Sequence, residues 1–295
     1  MTSLVQQLIN GLAIGSVYAL VAVGYTLVFG VLRFINFAHG SIVTLGAYFG
    51  LFAVATLRLP IAGVFALALV LTGISSMGVE RGAYRPLRLK GVPTLNILIT
   101  SIGVSFLVEN CIVVFVSADF HSFPAHILPS LPLSLGNVAK VAPVDILICA
   151  VAISLMTFLY LFLINTKTGV AIRAVAYDAP AAALMGININ LTVGITFFLA
   201  GVMAAAAGVL LGMKFSVNPY LGGLFGLKSF AAAVVGGIGS VPGAYLGGYA
   251  VGLLETLGAA YVSSNFKDAI AFVLLVLILL FRPTGLLGRR IQEKV

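Results

Sequence analysis

The sequence predicts an all-α fold: a polytopic transmembrane helical bundle of about eight spans plus one short broken or re-entrant helix. Three observations point there. Of the 295 residues, 61% are hydrophobic and only 8% are charged, whereas a soluble domain is about a quarter charged. The apolar runs are continuous rather than alternating, which favours helices over a barrel. The 33 glycines suit helices that approach closely in lipid, where small residues make the contacts.

Apolar segments fall at about 4–31, 35–57, 60–80, 93–116, 143–164, 191–213, 225–240, 242–262 and 267–282. Residues 4–31 read as a first span and not as a cleaved leader, since no Lys or Arg lies in the first 30 residues. Arg81, Arg85, Arg88 and Lys90 mark a short loop as cytoplasmic by the positive-inside rule. Residues 93–116 then cross outward, and 117–142, with Lys140 and Asp119 and many Pro and Ser, is external. Residues 143–164 return inward, so 165–190, with Lys167 and Arg173, is cytoplasmic. The tail with Arg282, Arg289, Arg290 and Lys294 is cytoplasmic too.

That orientation demands an odd number of crossings after 191–213. Residues 225–240 either cross or form half of a broken pair with 242–262. The break is Gly236-Gly237-Ile238-Gly239-Ser240-Val241-Pro242-Gly243, which no regular helix can contain. The first three segments are taken as three crossings, placing the N-terminus outside. The whole chain, 1–295, is then one membrane domain carrying a cytoplasmic loop at 165–190.

The net charge of +8 sits in a few short loops, so it speaks for membrane orientation and not for nucleic acid. Cys111 and Cys149 both lie in apolar runs and read as packing residues.

Within 165–190 lies a miniature helix with its own stop signals. Asp178 is a good N-cap, Pro180 falls in the first turn, and Gly186 stands where a C′ glycine would end the helix. About seven residues fit between, roughly 10 Å of helix, too short to be stable alone. Ala181, Ala182, Leu184 and Met185 make it small and apolar. A short apolar helix outside the membrane suggests a knob for another protein's socket.

Three groups of polar residues could carry chemistry. Asn36, His39 and Ser41 stand between apolar runs, either facing a cavity or partner helix, or bonding local backbone in a packing turn. Glu109 and Glu255 are carboxylates at membrane depth, either on a substrate path or bonded to a neighbouring helix. Asp145 and Asp268, at the starts of spans, read as capping and dipole residues. The third is the glycine turn holding Gly237, Gly239 and Ser240. Ser240 is not a hydrolase nucleophile, because Ile238 breaks the G-x-S-x-G pattern. No metal site is expected, since His39 stands apart from His121 and His126 in the external loop. No cofactor site and no catalytic residue is expected either.

Several stretches together resemble the permease subunits of branched-chain amino-acid ABC importers, of the LivH type. They are Gly11-Leu-Ala-Ile-Gly15-Ser-Val-Tyr18, Ile35-Asn36-Phe37-Ala38-His39-Gly40 with Gly46-Ala47-Tyr48, and Arg173 through Ala181-Ala182 to Gly186. Val235-Gly236-Gly237-Ile238-Gly239-Ser240 and Arg282-Pro283-Thr284-Gly285 complete the set. The resemblance implies a multi-pass pore subunit of the inner (cytoplasmic) membrane that hydrolyses nothing itself. It also implies a second related permease, two cytoplasmic ATPase subunits and an external, periplasmic substrate-binding protein. Arg173, Asp178, Ala181, Ala182, Leu184 and Gly186 would then belong to the segment that docks on the ATPase. Ala179 and Pro180 replace the polar or acidic residues often found there.

Two alternatives stay open. Permeases for urea or short amides carry near-identical glycine motifs. A stand-alone proton-coupled carrier could use Glu109 or Glu255, but it leaves the apolar helix at 179–185 without a purpose.

Overall fold

The computed structural model describes residues 4–124, 127, 133–135 and 139–288. His126 and the tail residues Arg289, Arg290 and Lys294 lie outside the described residues. The long helices are α1 (Leu4–Leu32), α2 (Ala38–Ala55), α3 (Ile61–Val79), α5 (Thr94–Phe115), α6 (Pro143–Asn165), α9 (Ile189–Lys214), α10 (Leu221–Gly236), α11 (Val241–Tyr261) and α12 (Lys267–Phe281). Short helices α4 (Arg85–Leu89), α7 (Lys167–Tyr177) and α8 (Ala179–Leu184) sit in the connections, with a small ribbon of β1 (Leu133–Leu135) and β2 (Ala139–Val141). In that ribbon Ser134 pairs with Lys140 in antiparallel register. Among the described residues seven helices are long and apolar enough to cross a membrane. With 21 residues α11 is long enough but is not among those seven, its glycines, tyrosines and Glu255 lowering its apolar character, and the 16 residues of α10 fall short in length.

The ends of the bundle are fixed by cross-links. Gln6 Oε1 accepts the backbone N–H of Lys140 at 2.8 Å, so α1 starts beside the ribbon. Arg33, just past α1, donates to the Ala176 carbonyl of α7 at 2.7 Å. Helix α2 returns toward the ribbon end, where Gly50 lies against Phe123. Helix α3 descends again, and Arg88 beyond it donates to Asn190 Oδ1 at the start of α9 at 2.8 Å.

Helices α1 and α9 form the centre, each with 83% of its apolar stretch buried, whereas α5, α12, α3 and α6 form the periphery. Close approach at the centre depends on absent side chains. A Cβ on Gly252 of α11 would run into the backbone of Gly15 in α1, and one on Gly15 would come within 3.0 Å of the Tyr249 Cα. These glycines belong to the spacings Gly11-x₃-Gly15 and Gly248-x₃-Gly252, the small-residue pattern that lets membrane helices touch backbone to backbone.

The basic cluster at 81–90 differs from its expected form. It is helix, not loop: α3 continues through a π-turn at Glu80–Tyr84 into α4. Pro86 supplies the reason, because its ring and missing N–H disrupt the preceding α-turn and a widened turn absorbs the misfit.

Helix α10 is the broken element. The chain after α9 first pairs with the loop end, through His121 and Val217. It then enters the bundle as irregular backbone, and α10 begins where Gly222 N–H donates to Thr44 Oγ1 at 2.8 Å. Thr44 is six residues into α2, so α10 starts well inside the bundle. Gly222 and Gly40 meet with no room for a Cβ on either.

Candidate functional site

Residues 165–190 hold two capped helices, one more than expected. Thr166 Oγ1 accepts Gly169 N–H at 3.0 Å and starts α7. Gly169, Ile172 and Val175, three residues apart, are buried against the bundle. Arg173 stands on the outer side and donates weakly to the Ile164 carbonyl at 3.4 Å. Asp178 ends α7 and caps α8, its carboxylate accepting Ala181 N–H at 2.9 Å. Gly186 adopts φ +83°, a left-handed conformation suited to glycine. There Ile187 N–H reaches the Ala182 carbonyl at 3.1 Å, closing the helix as a Schellman-type cap.

Only part of α8 faces outward. Leu184, Met185 and Tyr177 are 89%, 84% and 84% exposed, and Ala181 is exposed as well. Ala182 is not: at 4% exposure it packs inward. The expected surface of Ala181, Ala182 and Leu184 is therefore corrected to Ala181, Leu184, Met185 and Tyr177. A six-residue helix presents one narrow face, and α7 and α9 take the side carrying Ala182.

A second site lies where the first turns of α2 and α10 meet the middle of α5. Ser41 Oγ donates to Glu109 Oε1 at 2.8 Å, and Ser105 Oγ reaches the same oxygen at 3.2 Å. The two hydroxyls are 2.6 Å apart. A cavity of about 240 Å³ opens beside them, lined also by Tyr25, Phe37, Gly223 and Leu227. Glu109 itself is only half buried. A carboxylate at this depth cannot face hydrocarbon without great cost, so this side of α5 needs a polar neighbour.

Glu255 has a different setting. Its two oxygens accept from Tyr18 Oη at 2.7 Å and from Lys228 Nζ at 2.8 Å. Lys228 also reaches Asp268 at 2.5 Å. Four helices, α1, α10, α11 and α12, thus share one ionic knot, buried at Lys228, Glu255 and Tyr18 and open to the surface at Asp268. The inter-helix bond that was one of the two readings for Glu255 is therefore made. Asp268 stands in the first turn of α12, where its charge suits the helix dipole, but it is not the cap: the N-cap is Phe266, and Asp268 bonds Lys228. Asp145 likewise pairs with Lys214 across α6 and α9.

Asn36 bonds no local backbone through its side chain; its Oδ1 accepts from Tyr84 Oη at 2.7 Å. His39 is buried with Nε2 unpartnered among the described residues, packed edge-on to Tyr25 at 4.6 Å in the gap left by Gly24. Both are buried at the α1–α2 corner. Gly237 and Gly239 hold φ +106° and +94° in the turn after α10. The carboxy-terminal stretch docks there, Leu286 N–H on the Val235 carbonyl and Leu287 N–H on that of Gly236, both at 2.9 Å. Ser240 caps α11, accepting Gly243 N–H.

The family model for the branched-chain amino acid transport system / permease component matches residues 7–279. The chain belongs to that family. It is 42% identical to the high-affinity branched-chain amino acid transport system permease protein BraD of Pseudomonas aeruginosa, covering 98% of this chain and 97% of that protein. It is 40% identical, with the same coverage, to the permease protein LivH of Escherichia coli. Among solved structures, PsaBC from Streptococcus pneumoniae in complex with Fab superposes with a TM-score of 0.51 at 15% identity, over 93% of this chain and 91% of that one. That last likeness is one of fold alone.

Lys228 and Glu80 escaped the sequence reading. Lys228 lies inside an apolar run, where a lone lysine demands a buried acid, and Glu255 was available to supply it. Glu80 was hidden at the edge of the arginine cluster; it is wholly buried and pairs with Arg88 at 3.1 Å.

Proposed function

We propose that this branched-chain permease family member is a pore subunit of an ABC importer, moving branched-chain amino acids across the inner membrane. The observation that carries the reading is α8. A capped, six-residue helix with Leu184 and Met185 almost fully exposed has no reason to project from a membrane bundle unless a partner covers it. The partners are two ATPase subunits on the cytoplasmic side, where α7 and α8 lie with the basic residues of 81–90. A second related permease stands beside the bundle, and a substrate-binding protein docks at the ribbon end. This chain hydrolyses nothing; ATP is consumed in the ATPase subunits.

The path runs along the α2–α5–α10 groove. Glu109, Ser41 and Ser105 give it polar footing, and the second permease closes it from the exposed side of α5. ATP-driven closure of the ATPases pushes on α8, and the bundle rocks between inward and outward access as a packed body. Each state must differ in its contacts with the partners, since only differential contact shifts an equilibrium.

The test is uptake into vesicles holding the reconstituted assembly with its binding protein. Leucine accumulation that requires both ATP and the ATPase subunits is the expected result. Accumulation driven by a proton gradient without ATPase subunits, or uptake of urea in place of leucine, would overturn the reading.

A further inference from the structure

At the α8 end a cleft of about 450 Å³ opens between α4 and the start of α9, lined by Arg81, Arg85, Leu89, Asn188, Asn190 and Leu191. Its polar side chains are two arginines, which only donate, and two asparagines whose oxygens already accept elsewhere. Asn188 Oδ1 is occupied by Leu191 N–H at 3.0 Å, and Asn190 Oδ1 by Arg88 at 2.8 Å. Each asparagine is left with its amide N–H₂ to offer. Glu80, the carboxylate that faces Arg81, Arg85 and Arg88, is bonded to Arg88 through Oε1, while its Oε2 is buried with no hydrogen-bond partner among the described residues and sets one negative charge against three arginines. Arg81 and Arg85 have no ion pair among the described residues. Arg85 Nε is buried there without any hydrogen-bond partner, a guanidinium edge that has lost water and gained no acceptor. The start of the 26-residue helix α9 adds its positive dipole end.

Two unpaired guanidinium groups and two amide donors fit an anion with several oxygens, and the planar fork of arginine suits phosphate in particular. The surroundings say which phosphate. The cleft lies at the ends of two membrane-length helices, Ile61–Leu89 and Ile189–Lys214. Its rim residues Leu89 and Leu191 are 67% and 54% exposed. Val70 and Ile74, further along the same continuous helix, are also exposed and offer a track for acyl chains. We infer that the cleft binds the phosphate of an anionic phospholipid, headgroup between Arg81 and Arg85 and the amides of Asn188 and Asn190. The bound lipid ties α4 to the α8–α9 junction. The inference needs only that the chain be in a membrane and stands independently of the transport reading.

The experiment measures retention of phosphatidylglycerol by the full-length chain in mild detergent, using native mass spectrometry and lipid titration. Phosphatidylcholine, inorganic phosphate and glycerol phosphate serve as comparisons. Arg81→Gln with Arg85→Gln should weaken phosphatidylglycerol binding about tenfold or more, at roughly 1 kcal/mol per basic residue. Lys90→Gln with Lys167→Gln, an equal charge change outside the cleft, keeps every cleft contact and should weaken binding clearly less than the arginine pair does. Equal retention of phosphatidylcholine, equal loss in the lysine variant, or displacement by inorganic phosphate at matched concentration would each overturn the lipid site. Unchanged lipid binding in the arginine variant, with loss of ATPase-subunit association, would overturn it too and assign the cleft to an acidic side chain of the partner.

Discussion

Lys228 Nζ lies 2.8 Å from Glu255 Oε1, with both side chains almost wholly withdrawn from solvent. Neither charge is tolerable alone at that depth, but together with Tyr18 and Asp268 they bind four helices at one point. Lys228→Met strands Glu255 and should destabilise the bundle by about 3–5 kcal/mol. Adding Glu255→Leu should recover most of that loss, since an apolar pair of similar volume replaces a buried ion pair at little cost. Thermal unfolding in detergent decides; a double variant no more stable than the single one would mean the knot does more than neutralise charge.

Glycine packing between α1 and α11 gives a second expectation. Gly252→Val places a branched side chain where only the Gly15 backbone fits, and overpacking of this kind costs about 1–3 kcal/mol or more. The yield of monodisperse protein should fall sharply. Gly82→Ala, where a Cβ meets nothing within 4 Å, should not lower it.

Glu109 is the charged member of the proposed path. Glu109→Gln keeps an oxygen for Ser41 and Ser105 but removes the charge, so folding should hold while leucine uptake drops. A loss of about tenfold matches one hydrogen bond to a charged group. Full uptake in the variant would remove Glu109 from the path and leave it a tie between α2 and α5.

The spans were legible because lipid imposes continuous apolar runs, and their ends agree with the helices to within a few residues except at the third, which runs on to Leu89 through the basic cluster. The α8 signals were legible for a local reason: Asp178, Pro180 and Gly186 act on backbone within four residues. What escaped depends on tertiary contact. Helix α7 is polar on one side, and its buried Gly169, Ile172 and Val175 have meaning only against the bundle. Ala182 and Ala181 are indistinguishable in sequence; the packing of α8 on its neighbours turns one in and the other out. Glu109 and Glu255 were an equal pair on paper, and only the position of Lys228 one helix away separates them.

The α8 surface carries the central claim, and it makes Leu184 and Ala182 opposites. Ala182→Asp should damage the fold, because it buries a charge beside the bundle. Leu184→Asp changes a residue that is 89% exposed and should leave insertion and stability intact. The decisive measurement is leucine taken up per ATP hydrolysed in vesicles holding the assembled transporter, wild type against Leu184→Asp. A fall in that ratio of about tenfold or more, the loss of one well-buried apolar anchor, is the result expected. An unchanged ratio and unchanged ATPase association in a properly inserted Leu184→Asp assembly would contradict the role given to α8.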